Sequence, residues 1–244
     1  DLQHMDFDVF EKIINKIDQS KCPSLILTGW GEPLCHPRFL DMVKLAKGKG
    51  FKVRFTSNGA LLDDQKIRFL LGNNIDAVTF SIDELESDEK SIGHMIEGQL
   101  ENIASFIKQK NEWGKETQVY WQTTYPQGGE DNILKLIDYA DKIGVDRLKL
   151  SRLDVRFQKF DRPRADQEKA FIKKLEKVTK NKKIQVDFLP YLAFDGPARS
   201  IYKLIYPWLH RRGKFCLRIL ADLYINVSGK ATPCCALPKT EIGD

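Results

Sequence analysis

The sequence predicts an α/β fold, namely a barrel or partial barrel followed by a small cysteine-bearing β-hairpin extension. Short runs rich in β-branched and aromatic residues alternate with stretches of helical periodicity, which predicts a parallel sheet with right-handed crossovers. No Gly-x-Gly-x-x-Gly opens a helix, and this favours a barrel over a doubly wound open sheet. The alternation stops near residue 195, where a different segment begins.

The predicted strands are bounded by turn residues, and the predicted helices carry apolar residues on one face. Asp6 is the expected N-cap of the first helix, Pro37 is expected at the start of the second, and Asp63 or Asp64 opens the third. Later helices are expected near 89–111, 131–143 and 164–180. The strand-like runs are 24–28, 51–55, 77–80, 117–123, 147–150 and 184–189.

Composition narrows the class of protein. The chain has 244 residues, of which 42% are hydrophobic and 30% charged, which is typical of a globular protein. No apolar run approaches the roughly 20 residues that span a bilayer, and no signal-peptide pattern is present, so we expect a cytoplasmic protein without membrane contact. Because the chain starts at Asp1 and stops abruptly at Asp244, we interpret it as a fragment cut at both ends.

The net charge of +5 is concentrated in one segment. Residues 156–183 hold 11 basic and 4 acidic residues, and we interpret this excess as the solvated face of a Lys-rich helix. Aromatic residues are not interleaved with the basic ones as a base-stacking surface requires, so nucleic acid is not an expected partner.

Small polar and acidic residues follow three consecutive predicted strands. The first strand runs into a turn spanning 28–37 with two glycines and Glu32, a carboxylate suited to an ammonium group. The next two strands end in Thr56-Ser-Asn-Gly59 and Ser81-Ile-Asp83. Any one of these motifs is typical of a turn or helix cap, but three at neighbouring carboxyl ends of a parallel sheet predict one ligand site.

This ordered set resembles the radical S-adenosylmethionine (SAM) superfamily over about residues 20–190. Gly31-Glu32-Pro33-Leu34 and His36-Pro37 are similar to the family's Gly-Gly-Glu-Pro-Leu-x-His-Pro turn, with Trp30 where many members have Gly. The resemblance implies a partial (β/α)6 TIM-like barrel. It also implies that the turn at Gly31 and Glu32 contacts the SAM amino group, with Ser81 and Asp83 near its ribose and carboxylate. The implied cofactor-binding residues are Gly31, Glu32, Pro33, Asn58, Ser81, Asp83, Gln122 and Ser151.

The family's catalytic [4Fe-4S] cluster is held by Cys-x-x-x-Cys-x-x-Cys, which this sequence lacks. The resemblance implies that this loop, with the first barrel strand, precedes residue 1. Cys22 and Cys35 do not have the required spacing, and Cys35 is expected to pack beside the turn.

Three more cysteines lie near the C-terminus, on either side of residues 224–230. The pattern of residues 224–230 predicts a β-hairpin with a Ser-Gly turn. The spacing resembles the opening of the SPASM domain, which implies that Cys216, Cys234 and Cys235 ligate an auxiliary [4Fe-4S] cluster. A zinc knuckle or buried cysteines are the alternatives. We therefore divide the chain into a barrel, 1–195, and an incomplete SPASM-type domain, 196–244.

The resemblance implies an enzyme that reductively cleaves SAM and abstracts hydrogen from a peptide or small-molecule substrate. An electron donor such as flavodoxin or ferredoxin is the implied partner, and no residue is assigned as catalytic acid or base. Two alternatives remain: a non-catalytic barrel with a structural zinc hairpin that acts as a binding module, and an aldolase or epimerase barrel, for which Lys149 is the nearest candidate lysine.

Overall fold

The computed structural model describes residues 4–29, 31–86, 90–152, 163–189, 223–232 and 242. The chain divides into two units. One comprises Gln19–Pro190, and the other comprises Asp1–Asp18 with Tyr191–Asp244. The predicted boundary at residue 195 stays a prediction.

The larger unit contains one six-stranded parallel sheet in which every strand pairs with the next one along the chain. This sequential order has no reversal point, unlike a doubly wound sheet, and confirms the predicted α/β fold of the partial-barrel type. The strands extend up to two residues beyond several of the predicted ends. Their bounds are β1 (Ser24–Leu27), β2 (Lys52–Ser57), β3 (Ala77–Ser81), β4 (Gln118–Tyr125), β5 (Arg147–Arg152) and β6 (Gln185–Leu189).

Helices connect successive strands of this sheet. They are α2 (Phe39–Gly48), α3 (Asp64–Gly72), α4 (Lys90–Glu112), α5 (Glu130–Ile143) and α6 (Ala165–Thr179). Each crossover brings the chain back parallel to the preceding strand, as the alternation predicted. Among the described residues, every helix is too short or too polar to cross a bilayer.

Two of the predicted helix starts are confirmed by their capping bonds, and one is wrong. Asp6 accepts a hydrogen bond from the Asp8 amide at 2.7 Å, and Asp63 accepts one from the Lys66 amide at 2.8 Å. Pro37, however, does not open α2. A short 3-10 helix (Pro33–Cys35) precedes it, and α2 begins two residues after Pro37.

The two faces of the sheet differ in polarity. In β2 and β4, alternate residues such as Val53, Phe55 and Trp121 are buried, while their neighbours are half-buried or exposed. The buried set packs against the helices, for example Phe55 on Phe39 of α2 with ring centroids 5.1 Å apart. The hydrophobic core thus lies between the helices and one face of the sheet, and in β2 and β4 the other face carries mainly polar residues.

Helix α6 explains the basic segment. Phe171 and Leu175 are buried, whereas Lys173, Lys174 and Lys177 are exposed. Within the described residues, this confirms the prediction of a solvated Lys-rich helix face.

The smaller unit contains α1 (Phe7–Lys16) and an antiparallel hairpin of β7 (Tyr224–Ile225) and β8 (Ala231–Thr232). Gly229 in the hairpin turn has a φ of 83° and lies against α1, since a Cβ there would come within 2.7 Å of Val9 Cγ1. The predicted hairpin is confirmed. The cysteines predicted as metal ligands lie outside the described residues.

Candidate functional site

The turn after β1 is organised by the side chain of Glu32. Glu32 caps the 3-10 helix, and its Oε1 atom accepts a hydrogen bond from the Leu34 amide at 3.2 Å. Pro33 occupies the first turn of that helix, where its fixed φ is favourable, and buried Leu34 anchors the turn in the core. The sequence Glu-Pro-Leu therefore fixes the carboxylate at the carboxyl end of β1.

Glu32 also connects this turn to the end of β2. The Ser57 hydroxyl donates to Oε1 at 2.7 Å, and the Asn58 amide donates to Oε2 at 2.8 Å. Ser57 is buried, so its hydroxyl depends on the carboxylate as a partner. Both carboxylate oxygens thus hold the two strand ends together.

The turn at Asn58 and Gly59 is held from two sides. The Asn58 side chain accepts a hydrogen bond from the Ala60 amide at 2.9 Å, and Asn102 of α4 donates to the Gly59 carbonyl at 3.0 Å. Gly59 has a φ of 81°, and a Cβ there would come within 3.1 Å of Ile103 Cγ1. Glycine is required here for both reasons.

Asp83, just after β3, is tied to β4 through one carboxylate oxygen. Its Oδ1 atom accepts hydrogen bonds from the Thr123 hydroxyl at 3.1 Å, the Thr124 amide at 2.8 Å and the Thr124 hydroxyl at 2.9 Å. Among the described residues, no hydrogen-bond donor contacts Oδ2. One oxygen therefore fixes the side chain, and the other remains as an acceptor for a ligand.

The remaining predicted residues lie on the polar face of the sheet near this end. Ser81 of β3 is in register with Gln122 of β4. Two residues further along β4, Thr124 is in register with Ser151 of β5. The Ser151 hydroxyl donates to the Thr123 carbonyl at 3.2 Å. The predicted residues thus lie along the carboxyl ends of β1 to β5.

Sequence reasoning missed three residues that position the carboxylates, namely Ser57, Thr123 and Thr124. Ser57 stood within a predicted motif without being assigned a role. The polar pair Thr123-Thr124 near the end of β4 was the available signal for the other two, because strands buried in a parallel sheet are mostly apolar.

Neither Glu32 nor Asp83 has a counter-charge in the described part of the chain. Their described hydrogen-bond donors are all amides or hydroxyls, and no lysine or arginine of the described residues lies within ion-pair distance. Two anionic groups therefore lie at one end of the sheet with only neutral partners. This arrangement favours a cationic ligand.

The glycines of the first turn leave room beside these carboxylates. Apart from its neighbours in the chain, a Cβ at Gly29 or Gly31 would meet no atom of the described residues within 4 Å, and neither residue has a positive φ. Protein packing therefore does not require glycine at either position, whereas a ligand that approaches the backbone closely would.

Comparison with known families decides the class of protein. A model of the "Radical SAM superfamily" matches residues 1–155, which is more than half of the chain. The chain belongs to the radical SAM superfamily.

Two curated relatives match parts of this radical SAM chain. It is 33% identical over 156 residues to the "tungsten-containing aldehyde ferredoxin oxidoreductase cofactor-modifying protein" of Pyrococcus furiosus, and the match covers 61% of this chain and 43% of that protein. It is 40% identical over 74 residues to an "S-adenosylmethionine-dependent nucleotide dehydratase" of a Thermoplasmatales archaeon, and the match covers 30% of this chain and 26% of that protein. The matched segment spans less than half the length of either relative.

Solved structures support the fold. Streptococcus suis SuiB bound to SAM has a TM-score of 0.71 and 15% identity, and the match covers 100% of this chain and 57% of SuiB. The structure of anSMEcpe with bound AdoMet has a TM-score of 0.60 and 15% identity, with 98% and 68% coverage. At these identities the likeness concerns the fold alone.

Membership of the radical SAM superfamily implies SAM and a [4Fe-4S] cluster. The open glycines and uncompensated carboxylates fit SAM, which carries an ammonium and a sulfonium group. The described residues do not fit the cluster, since they contain no group of three or more potential metal ligands. Cys22 and Cys35 are both exposed, so the expectation that Cys35 packs beside the turn is wrong.

Proposed function

We propose that this chain forms the SAM-binding part of an enzyme that reductively cleaves SAM and abstracts hydrogen from a substrate. The supporting observation is the pair of carboxylates at the carboxyl end of the sheet, Glu32 and Asp83, which have no counter-charge among the described residues. When bound, SAM supplies the 5′-deoxyadenosyl radical for hydrogen abstraction, and this chemistry belongs largely to the cofactor.

The chain's own residues bind and orient SAM in this proposal. The backbone at Gly31 and the Glu32 carboxylate receive the amino group, while Ser57 and the Asn58 amide hold Glu32 in place. Asp83 offers its Oδ2 atom to the ribose. Ser81, Gln122 and Ser151 line the same pocket further along the strand ends.

Replacing Asp83 with Asn tests the cofactor site. Asn retains an oxygen for the three donors at the Oδ1 position, but its amide group at the Oδ2 position cannot accept a hydrogen bond. We expect SAM affinity to fall by about 10- to 100-fold, the value of one charge-assisted hydrogen bond. Isothermal titration calorimetry under anaerobic conditions, after iron and sulfide reconstitution, measures it.

Asp138→Asn is the matched control, because Asp138 is exposed in the second half of α5, which leads away from the carboxyl ends of the strands. It should leave SAM affinity unchanged. Equal affinity in Asp83→Asn and the unmodified protein would remove Asp83 from the site.

The substrate class rests on what similar proteins bind. SuiB has been solved with its precursor peptide SuiA, and anSMEcpe with the Kp18Cys peptide. One curated relative is named for a nucleotide and the other for a cofactor. These names support a peptide as first choice and a small metabolite as second, with flavodoxin or ferredoxin as electron donor.

An auxiliary [4Fe-4S] cluster ligated by Cys216, Cys234 and Cys235 is part of the proposal. The described hairpin at 224–232 supports it, because a hairpin brings flanking segments together. We expect anaerobic reconstitution of the chain to bind iron and sulfide, and Cys234→Ala to lower both. Stoichiometric zinc in place of iron would favour the structural zinc hairpin instead.

A further inference from the structure

The loop that carries Asp83 is tied to helix α5 where the chain leaves the sheet. Asn132, the third residue of α5, donates from Nδ2 to the Asp83 carbonyl at 2.7 Å. One turn later in the same helix, Lys135 Nζ lies 3.0 Å from Glu86 Oε1. This ion pair is exposed on both sides and contributes little, because water and salt screen such pairs. The Asn132 amide is therefore the stronger of the two described contacts between the loop and α5.

The hydrogen bonds to the Asp83 side chain fix one atom and leave a direction open. All three donors come from β4 and converge on Oδ1. Bonds that meet at a single atom fix the position of that atom, whereas Oδ2 can still swing about it when the backbone of Asp83 moves. The direction in which Oδ2 points therefore depends on how the backbone is held, as for any binding group that its supporting contacts orient.

The backbone of Asp83 is held by β4 on one side and by Asn132 on the other. The Ile82 amide donates to the Gln122 carbonyl at 3.0 Å, and Trp121 Nε1 donates to the Ile82 carbonyl at 3.1 Å. After Asp83 the chain leaves the sheet. Within the described residues, the Asn132 amide is the one donor to the Asp83 carbonyl. Asn132 thus supplies the fixed point that β4 does not.

A similar arrangement supports the other carboxylate. Asn102 of α4 donates from Nδ2 to the Gly59 and Ala60 carbonyls at 3.0 and 3.3 Å, directly after the Asn58 amide that binds Glu32. In both cases the asparagine belongs to the helix that follows the next strand. Helix α4 follows β3 and holds the turn after β2, whereas α5 follows β4 and holds the loop after β3. The repeat indicates that the two asparagines serve the strand-end loops and not only their own helices.

We propose that Asn132 is a positioning residue for SAM binding, which fixes the backbone of Asp83 so that Oδ2 points at the ligand. The inference rests on the proposed function, because it requires Asp83 to contact SAM. Asn132 acts through Asp83 and does not touch the ligand. Asn102 has the corresponding role for Glu32, but its turn also packs on buried Ile103, so substitutions there change stability as well.

Asn132→Asp separates this role from a merely structural one. The new side chain has nearly the same shape, but its carboxylate cannot donate to the Asp83 carbonyl. An acidic residue in the first turn of α5 is favoured by the helix dipole, so the melting temperature should be unchanged or slightly raised. We nevertheless expect SAM affinity to fall about 3- to 10-fold, as for the loss of one neutral hydrogen bond. Thermal unfolding and anaerobic calorimetry of the reconstituted protein measure the two quantities.

Two further variants exclude an effect of charge. Asn132→Ala removes the donor without adding a charge, and the double variant Asp131→Asn/Asn132→Asp exchanges two neighbouring residues, so that the net charge stays constant. Both should bind SAM about as weakly as Asn132→Asp. A negative charge that acted through space would instead attract the cationic ligand, and a higher SAM affinity in Asn132→Asp would overturn the inference. Asn111→Asp, the same change at an exposed position near the far end of α4, should leave SAM affinity unchanged.

The Asp83→Asn background shows whether Asn132 acts through Asp83. Because Oδ2 is already replaced there, adding Asn132→Asp should lower SAM affinity by at most about twofold more. The same loss in both backgrounds would overturn the inference. Unchanged affinity in Asn132→Asp, or a loss accompanied by a lower melting temperature, would do so too. Unchanged affinity in Asp83→Asn would instead reject the cofactor role of Asp83 itself, so failure of the proposed function and failure of the positioning role are distinguishable.

Discussion

At both ends of the six-stranded sheet, carboxylates accept backbone hydrogen bonds from a neighbouring strand. Within the described residues, lysines pair with these carboxylates at the amino end but not at the carboxyl end. At the amino end, Asp76 accepts from the Val53 amide at 2.7 Å and from Lys47 Nζ at 2.6 Å. At the carboxyl end, the described donors to Glu32 and Asp83 are all amides and hydroxyls.

The arrangement at the amino end occurs twice. Asp146, just before β5, accepts from the Val119 amide at 2.7 Å and from Lys110 Nζ at 3.0 Å. In both cases the lysine comes from the helix that precedes the neighbouring strand. The repeat joins helix, strand and loop into one neutral unit, as expected of the stabilising end of a (β/α) sheet.

The difference shows how the same bond serves two purposes. A carboxylate with a lysine partner needs no ligand and contributes to stability. A carboxylate held only by neutral donors is equally fixed, but no protein cation compensates its charge. A cationic ligand can therefore bind it with a favourable electrostatic energy and without the cost of reorienting the side chain. Substitutions that remove charge should therefore affect stability at one end and binding at the other.

The largest expected effect comes from Asp146→Asn. The change leaves the nearly buried Lys110 ammonium without a counter-charge. Losing one partner of a buried pair costs about 3–5 kcal/mol, and because Asp146 is about one-third exposed we expect about 2–3 kcal/mol. Urea denaturation measures the free energy of unfolding.

Asp83→Asn is the same chemical change at the opposite end and should cost less than about 0.5 kcal/mol, because no cation is left unpaired. Equal destabilisation by the two substitutions would contradict the distinction between the ends.

Much of the fold was predictable because it depends on local patterns. Strand runs, helix periodicity and the caps at Asp6 and Asp63 require only neighbouring residues. Pro37 misled the prediction because proline favours a helix start, yet here it lies in a turn in which the Phe39 amide donates to the His36 carbonyl at 3.1 Å, before α2 begins.

The site was predictable in its residue types but not in its bonds. Glu32 and Asp83 were identified by their position after strands, since strand ends of a parallel sheet share one edge. That Ser57 and Thr124 hold them could not be predicted, because these bonds join residues 25 and 41 positions apart and depend on register. The lysine pairs at the amino end were missed for the same reason.

Two glycines at the carboxyl end separate packing from binding. Gly59→Ala places a side chain at positive φ and against Ile103, so we expect a loss of about 2 kcal/mol in unfolding free energy. Gly31→Ala meets no described atom beyond its chain neighbours and should leave the free energy of unfolding unchanged or slightly raised. Its methyl group should nevertheless weaken SAM binding by about 10-fold or more, through overpacking against the ligand. Thermal unfolding and calorimetry on both variants check this, and unchanged SAM affinity in Gly31→Ala would show that the ligand does not approach that turn.

The smallest effect concerns Asp63, a carboxylate that caps α3 and has a lysine partner. Hydrogen bonds from the side chain and backbone of Lys66 lower the pKa of Asp63 below its ordinary 3.8. A carboxyl group whose pKa is lower in the folded state stabilises the protein above the unfolded pKa, and this contribution is lost as the pH falls through the folded pKa.

Asn also caps helices, so Asp63→Asn removes only the charge and should cost about 0.5 kcal/mol at pH 7. The difference from the unmodified protein should shrink as the pH falls from neutrality to below 3.8, and SAM affinity should not change. A loss of SAM affinity in this variant would mean that pairing with a lysine does not separate stabilising carboxylates from binding ones.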